Sequence, residues 1–128
     1  MKSATQDSHP HAHKLAWSDI ETDHPMPLIA RQRIVGENMM VSRVHLSAGF
    51  TVPTHQHENE QFAVVISGKI RFDLGGADNP GAVSETLGPG EILVIPPNAP
   101  HSATAIEDTL ILDIFSPPSE TTGVDAKQ

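Results

Sequence analysis

The 128 residues contain no cysteine and no tyrosine, and the other aromatics are four Phe and one Trp. Without cysteine there are no disulfides or thiolate ligands, so a metal ion would have to be held by His, Gln, Asp or Glu. The same absence is compatible with a reducing compartment. With so few aromatics, the core must be filled by Val, Ile, Leu, Ala and Met. Basic residues are also scarce: 8 Lys and Arg stand against 16 Asp and Glu, for a formal net charge of -8. Such a surface repels phosphate backbones and anionic lipid, and no basic patch offsets it. No apolar run approaches the roughly 18 residues of a spanning helix. The start, MKSATQDSHPHAHK, has no apolar h-region. These features predict a soluble, cytoplasmic protein.

No window shows the sustained spacing of three and four that marks an amphipathic helix. Eleven Pro and nine Gly are spread along the chain, which suits short strands joined by turns. The length allows one domain with a real core. Residues 1–14 read as a disordered arm, 15–118 as a barrel and 119–128 as a flexible tail. Within the arm, His9, His11 and His13 alternate, a pattern that could chelate a metal or simply belong to a polar tail. Trp17 is an apolar anchor that would pack the arm onto the barrel or onto a second subunit. Strands are expected over Leu28 to Val35, Asn38 to Leu46, Gln61 to Ser67, Lys69 to Leu74, Val83 to Leu87, Ile92 to Ile95, His101 to Ile106 and Thr109 to Phe115. Gly36-Glu37, Ser67-Gly68 and Glu107-Asp108 read as tight hairpin turns, Gly75 to Gly81 as a longer loop and Leu87 to Gly90 as a corner. Eight short strands predict an all-β, double-layered or closed barrel.

Two stretches bring together residues that could hold a metal. One runs Gly49, His55, Gln56, His57, Gln61 and Gly68; the other runs Gly90, Pro96 and His101. On an extended strand His55 and His57 share a face, and Gln61 has the same parity. Glu58 and Glu60 are rival ligands of opposite parity, excluded unless a bulge intervenes. His101 can join the set only if the sheet folds back on itself.

These stretches resemble the cupin superfamily. Its first motif, G(X)5HXH(X)3,4E(X)6G, is matched by Gly49, His55, His57 and Gly68, with Gln61 in place of Glu. Its second, G(X)5PXG(X)2H(X)3N, is matched by Gly90, Pro96 and His101, with Asn98 for Gly and Ala105 for Asn. Two motifs in order are a far stronger signal than a lone HXH. The resemblance implies a double-stranded β-helix, the jelly-roll-like cupin barrel. Within the superfamily the chain looks most like the small single-domain proteins of the pectin-degradation group, which act on unsaturated uronates. The stretches that carry this are HQHENEQ at 55–61, IPPNAPH at 95–101 and LDIFSPP at 112–118. The group's pattern implies metal ligands at His55, His57, Gln61 and His101 and pocket residues at Asp113 and Phe115. It also places an Arg directly after SPP to bind the substrate carboxylate, and here that position is Ser119.

Three imidazoles and a carboxamide suit a divalent transition metal such as Zn, Ni, Fe, Mn or Co. A neutral Gln61 in place of a carboxylate leaves the ion more of its charge, which favours Lewis-acid over redox work. Asp113 interrupts the apolar strand Leu110 to Phe115, and a buried carboxylate must be paired or neutralised. It would serve as a general acid or base beside the metal, or pair with Arg31, Arg33, Arg43 or Arg71. Met39, Val41, Arg43 and His45 share a face, so His45 would line the pocket or satisfy a structural contact; Met39, Met40 and Phe62 read as core. The expected function is isomerisation or tautomerisation of a small sugar-acid-like carbonyl compound. The alternatives are a dioxygenase and a non-catalytic, ligand-binding or regulatory cupin. Exposed edge strands point to a homodimer.

Overall fold

The computed structural model describes residues 10–75 and 83–119. Among these residues are nine strands: β1 (Ile29–Val35), β2 (Met40–Leu46), β3 (Thr51–His55), β4 (Glu60–Ser67), β5 (Ile70–Leu74), β6 (Ser84–Leu87), β7 (Ile92–Ile95), β8 (His101–Ala105) and β9 (Thr109–Ser116). A 3-10 turn at Trp17–Asp19 precedes them. They pair into a five-stranded sheet of order β1-β2-β9-β4-β7 and a four-stranded sheet of order β3-β8-β5-β6. One apolar core, drawn from both sheets, lies between them. This is the jelly-roll barrel expected from the sequence. Most of the 1–14 arm, the Gly75 to Gly81 loop and the tail beyond Ser119 lie outside the described residues.

Two of the expected hairpins are something else. β4 belongs to the five-stranded sheet and β5 to the four-stranded one, while β8 and β9 likewise lie in different sheets. Ser67-Gly68 and Glu107-Asp108 therefore carry the chain across the barrel, not back along a neighbouring strand. The two crossings are packed against each other. A Cβ on Gly68, whose φ is +92°, would lie 2.2 Å from the Asp108 carbonyl oxygen, so only glycine fits there. Thr109 Oγ1 donates to the Glu107 carbonyl at 2.8 Å and accepts from the Lys69 amide at 3.2 Å.

Antiparallel register stacks the inward side chains in layers. Gln61, Phe115 and Met40 face one another across β4, β9 and β2; Ala63, Asp113 and Ser42 form the next layer, and Val65, Ile111, Val44 and Arg31 the one below. Successive layers are roughly 6.7 Å apart along the strands. Gln61, Asp113 and Ser42 thus lie towards one end of the core, with Arg31 in the layer below them.

The outer face accounts for several residues that the sequence pattern places elsewhere. Met40 is buried as expected, but Met39 is 55 % and Phe62 41 % exposed, because their parity turns them outward. Arg43 also faces out: its guanidinium lies 5.9 Å from the Trp17 ring centroid and donates to Gln32 Oε1. Gln32 in turn donates to the Trp17 and Ile20 carbonyls, so this face of β1 and β2 holds the N-terminal segment. His45 is exposed and lines an outer groove with His24 and Leu28, away from the core.

Candidate metal centre

His55, His57 and His101 come together at the polar end of the barrel, with one ligand atom from each within 4.8 Å of the others. Their positioning differs from the parity argument. His55 ends β3 and is paired in register with His101 at the start of β8, their ring centroids 4.2 Å apart. His57 lies in the loop after β3, and Gln61 projects from β4 in the opposite sheet. The ligand set is therefore assembled across the barrel mouth, not along one strand face. Gln61 is nonetheless buried, while Glu58 and Glu60 are exposed.

Each imidazole is fixed by a nearby backbone carbonyl. Nδ1 lies 2.8 Å from Pro53 O in His55, 2.9 Å from Asn59 O in His57 and 2.9 Å from Ala99 O in His101. A carbonyl only accepts, so each Nδ1 carries the proton and each Nε2 presents a lone pair. Gln61 Nε2 donates to Asp113 Oδ1 at 2.8 Å, which turns Gln61 Oε1 to within 3.2 Å of His57 Nε2. Two acceptors therefore face each other with no proton between them. Ligand atoms about 2.1 Å from one ion lie roughly 3.0–3.4 Å apart at octahedral or tetrahedral angles. The 3.2 Å between Gln61 Oε1 and His57 Nε2 fits two ligands of one cation, and the three imidazoles offer ligand atoms within 4.8 Å of one another.

Burial favours the neutral form of His55 and of His101. It lowers the His55 pKa and takes that of His101 from 6.5 to about 4, against the opposing pull of their carbonyl contacts. The loop around them is pinned at two points: the Asn98 amide donates to His57 O at 2.7 Å, and Asn59 Nδ2 donates to Pro117 O. Asn98 occupies the motif's glycine position at a φ of +64°. Asn tolerates that left-handed backbone better than most residues, so the substitution preserves the turn. Phe115 packs edge-on against His57 at 5.8 Å between centroids.

Asp113 pairs with Gln61 and with none of the four arginines considered for it. Arg31 and Arg33 bind Asp23, Arg43 binds Gln32, and Arg71 lies 3.5 Å from Asp73. Part of Asp113 can be reached by solvent from the cavity, but protein encloses the carboxyl closely enough to push its pKa up to about 6, with the Gln61 hydrogen bond pulling the other way.

The cavity below this centre has about 60 Å³ of room for water-sized molecules. His55, Gln61, His101, Asp113 and Phe115 line it, and so do two residues that the sequence pattern does not place there, Arg31 and Ser42. Ser42 stands in the apolar alternation Met40, Ser42, Val44, Leu46, the same kind of interruption that marks Asp113; Arg31 shares a face with Ile29 on β1.

The family model for the Cupin domain matches residues 42–115. The chain belongs to the cupin family. Among solved structures, KdgF from a Halomonas species is similar over 86 % of this chain and 97 % of its own, with a TM-score of 0.76 and 26 % identity. An RmlC-like cupin from Shewanella frigidimarina matches with a TM-score of 0.75 and 22 % identity over 86 % of this cupin and 95 % of its own chain. A tryptophan-to-phenylalanine variant of oxalate decarboxylase from Bacillus subtilis matches at 0.74 and 20 % identity over 88 % of this cupin, which spans only 32 % of that larger chain. These last two likenesses concern the fold alone. No curated protein sequence matches significantly. Among the described residues, no helix is long and apolar enough to cross a membrane.

Proposed function

We propose that His55, His57, His101 and Gln61 hold a divalent transition metal, and that this cupin isomerises or tautomerises a small sugar-acid-like carbonyl compound. The carrying observation is three imidazoles with ligand atoms within 4.8 Å of one another and an amide oxygen 3.2 Å from one of them, beside a carboxyl that the same amide holds. When bound, the ion supplies a Lewis acid that draws electron density from a carbonyl or hydroxyl oxygen. The protein ligands bring no anion to it, since Gln61 is neutral.

Asp113 moves the proton. As carboxylate it takes a proton from the carbon next to the polarised carbonyl, and as carboxylic acid it returns that proton at the other end of the rearranged double bond. In the metal-free cavity burial raises its pKa to about 6, which brings the protonated form within reach of neutrality. Gln61 fixes the carboxyl beside the ligand set, and Phe115 fixes the plane of His57. The resemblance to the pectin-degradation group supplies the substrate class, an unsaturated uronate or a close relative.

The test is turnover of such a uronate by Asp113→Asn. The variant is expected to keep its metal content and lose activity. Wild-type activity in the variant removes Asp113 from the mechanism, and oxygen consumption during wild-type turnover redirects the reading to oxygenation.

The proposed assembly is a homodimer. The outer face of the five-stranded sheet carries Phe62, Ile66, Ile92 and Val94, each more than two-fifths exposed, with Phe62 directly opposite Val94 in register. A second copy covering this face removes an apolar patch from water.

A further inference from the structure

The cavity wall carries two further polar residues, Arg31 and Ser42. Arg31 is only 3 % exposed, and both its backbone and its side chain are held by Asp23. The two residues exchange backbone hydrogen bonds of 2.8 and 2.9 Å, while Nε and Nη2 of Arg31 donate to the Asp23 carboxylate at 3.1 and 2.9 Å. The guanidinium is thus preorganised on the cavity wall and does not sweep through solvent. Ser42 is 2 % exposed, lines the same cavity, and its Oγ has no hydrogen-bond partner among the described residues. In register it stands opposite Asp113 on one side and Arg33 on the other, diagonal to Arg31. A buried hydroxyl left unpaired beside a fixed cation, among aliphatic walls, is unusual in a folded protein.

We propose that Arg31 and Ser42 form the subsite for the carboxylate of the substrate, the guanidinium supplying charge and the hydroxyl a further donor, with the metal centre engaging the other end of the same small molecule. This rests on the reading of the cavity as a uronate site and deepens it, because the residue expected to hold that carboxylate is here Ser119. A flat carboxylate suits the limited room better than a tetrahedral phosphate. A charge-assisted hydrogen bond from the guanidinium to a carboxylate is stronger than one to a neutral oxygen, and a neutral analogue forfeits that difference while leaving the Ser42 hydroxyl unanswered.

The test compares galacturonate with galactose by calorimetric titration on metal-loaded and metal-free protein, in wild type, Arg31→Met and Ser42→Ala. Galacturonate is expected to bind at least tenfold more tightly than galactose. Arg31→Met should remove that preference and keep wild-type metal content, while Ser42→Ala should weaken galacturonate several-fold without lowering Tm, since no protein contact is lost. Should Arg31→Met fail to fold, Ser42→Ala and Arg31→Lys carry the test, the latter expected to bind galacturonate more weakly at unchanged metal content. Wild type with no preference for galacturonate, or variants that retain the full preference, overturn the subsite. A wild type that binds no metal but still prefers galacturonate overturns the catalytic reading and leaves the subsite standing.

Discussion

Gln61 bridges the ligand set and the proton carrier: its Nε2 donates to Asp113 Oδ1 at 2.8 Å while its Oε1 sits 3.2 Å from His57 Nε2. A carboxamide can do both because it has a donor and an acceptor; a carboxylate would face Asp113 with a second negative charge, and the two could not both ionise. Gln61→Glu is therefore expected to keep a metal but lose at least about a hundredfold in turnover, the scale of a misplaced general base, whereas Gln61→Ala should lose the metal. Metal analysis alongside kinetics checks this. Full turnover by Gln61→Glu would contradict the bridge.

Acid stability of the metal-free protein follows from two opposed shifts. His101 has a folded pKa of about 4 against 6.5, so protonation favours the unfolded chain and stability falls as pH drops from 6.5 towards 4. Asp113 has a folded pKa of about 6 against 3.8, so ionisation favours the unfolded chain and stability falls as pH rises from 3.8 towards 6. Each is worth on the order of 3 kcal/mol, and between pH 4 and 6 they largely cancel. Asp113→Asn removes one of the pair, so its metal-free form should lose stability on acidification more steeply than wild type. Urea melts across pH 4–7 measure the slopes, and equal slopes would refute the assignment.

Gly68→Ala places a methyl against the Asp108 carbonyl where the two chain crossings meet. Strain and backbone displacement together predict a loss of about 3 kcal/mol or more, read as a fall in Tm on the order of 10 °C. A drop of under 2 °C would mean that the crossing relaxes freely.

Phe62→Asp places a charge in the proposed dimer face. Wild type should elute at twice the mass of the 128-residue chain by light scattering, and the variant as a folded monomer. A monomeric wild type contradicts the assembly.

Eight strands are legible in the sequence because each carries several β-branched or aliphatic residues between turn signals. β3 is not: in Thr51–His55 only Val52 is buried, and Pro53 argues against a strand, although it sits within the register shift between Val52 and His55, where proline is tolerated. Without β3, the sequence puts His55, His57 and Gln61 on one strand. The motif spacing survives that error, since it records which residues meet and not how the chain brings them there. The two crossings read as hairpins because tight turns look alike whether the chain returns to its own sheet or passes to the other. Arg31 is invisible for a different reason: β1 mixes apolar and polar residues at both parities, with Arg31 and Arg33 beside Ile29 and Val35 on one face and Gln32 between Ala30 and Ile34 on the other, so no face can be assigned to the core. Ser42 does interrupt an apolar row, and that signal is one the sequence offers.

The central claim is that the four converging lone pairs hold one divalent ion, and metal content of purified protein by plasma mass spectrometry tests it most directly. After dialysis, wild type should retain about one transition-metal ion per chain and His101→Ala close to none. Wild type that stays metal-free after growth and reconstitution with Zn, Ni, Fe, Mn and Co in turn, or His101→Ala that binds as much as wild type, would contradict it.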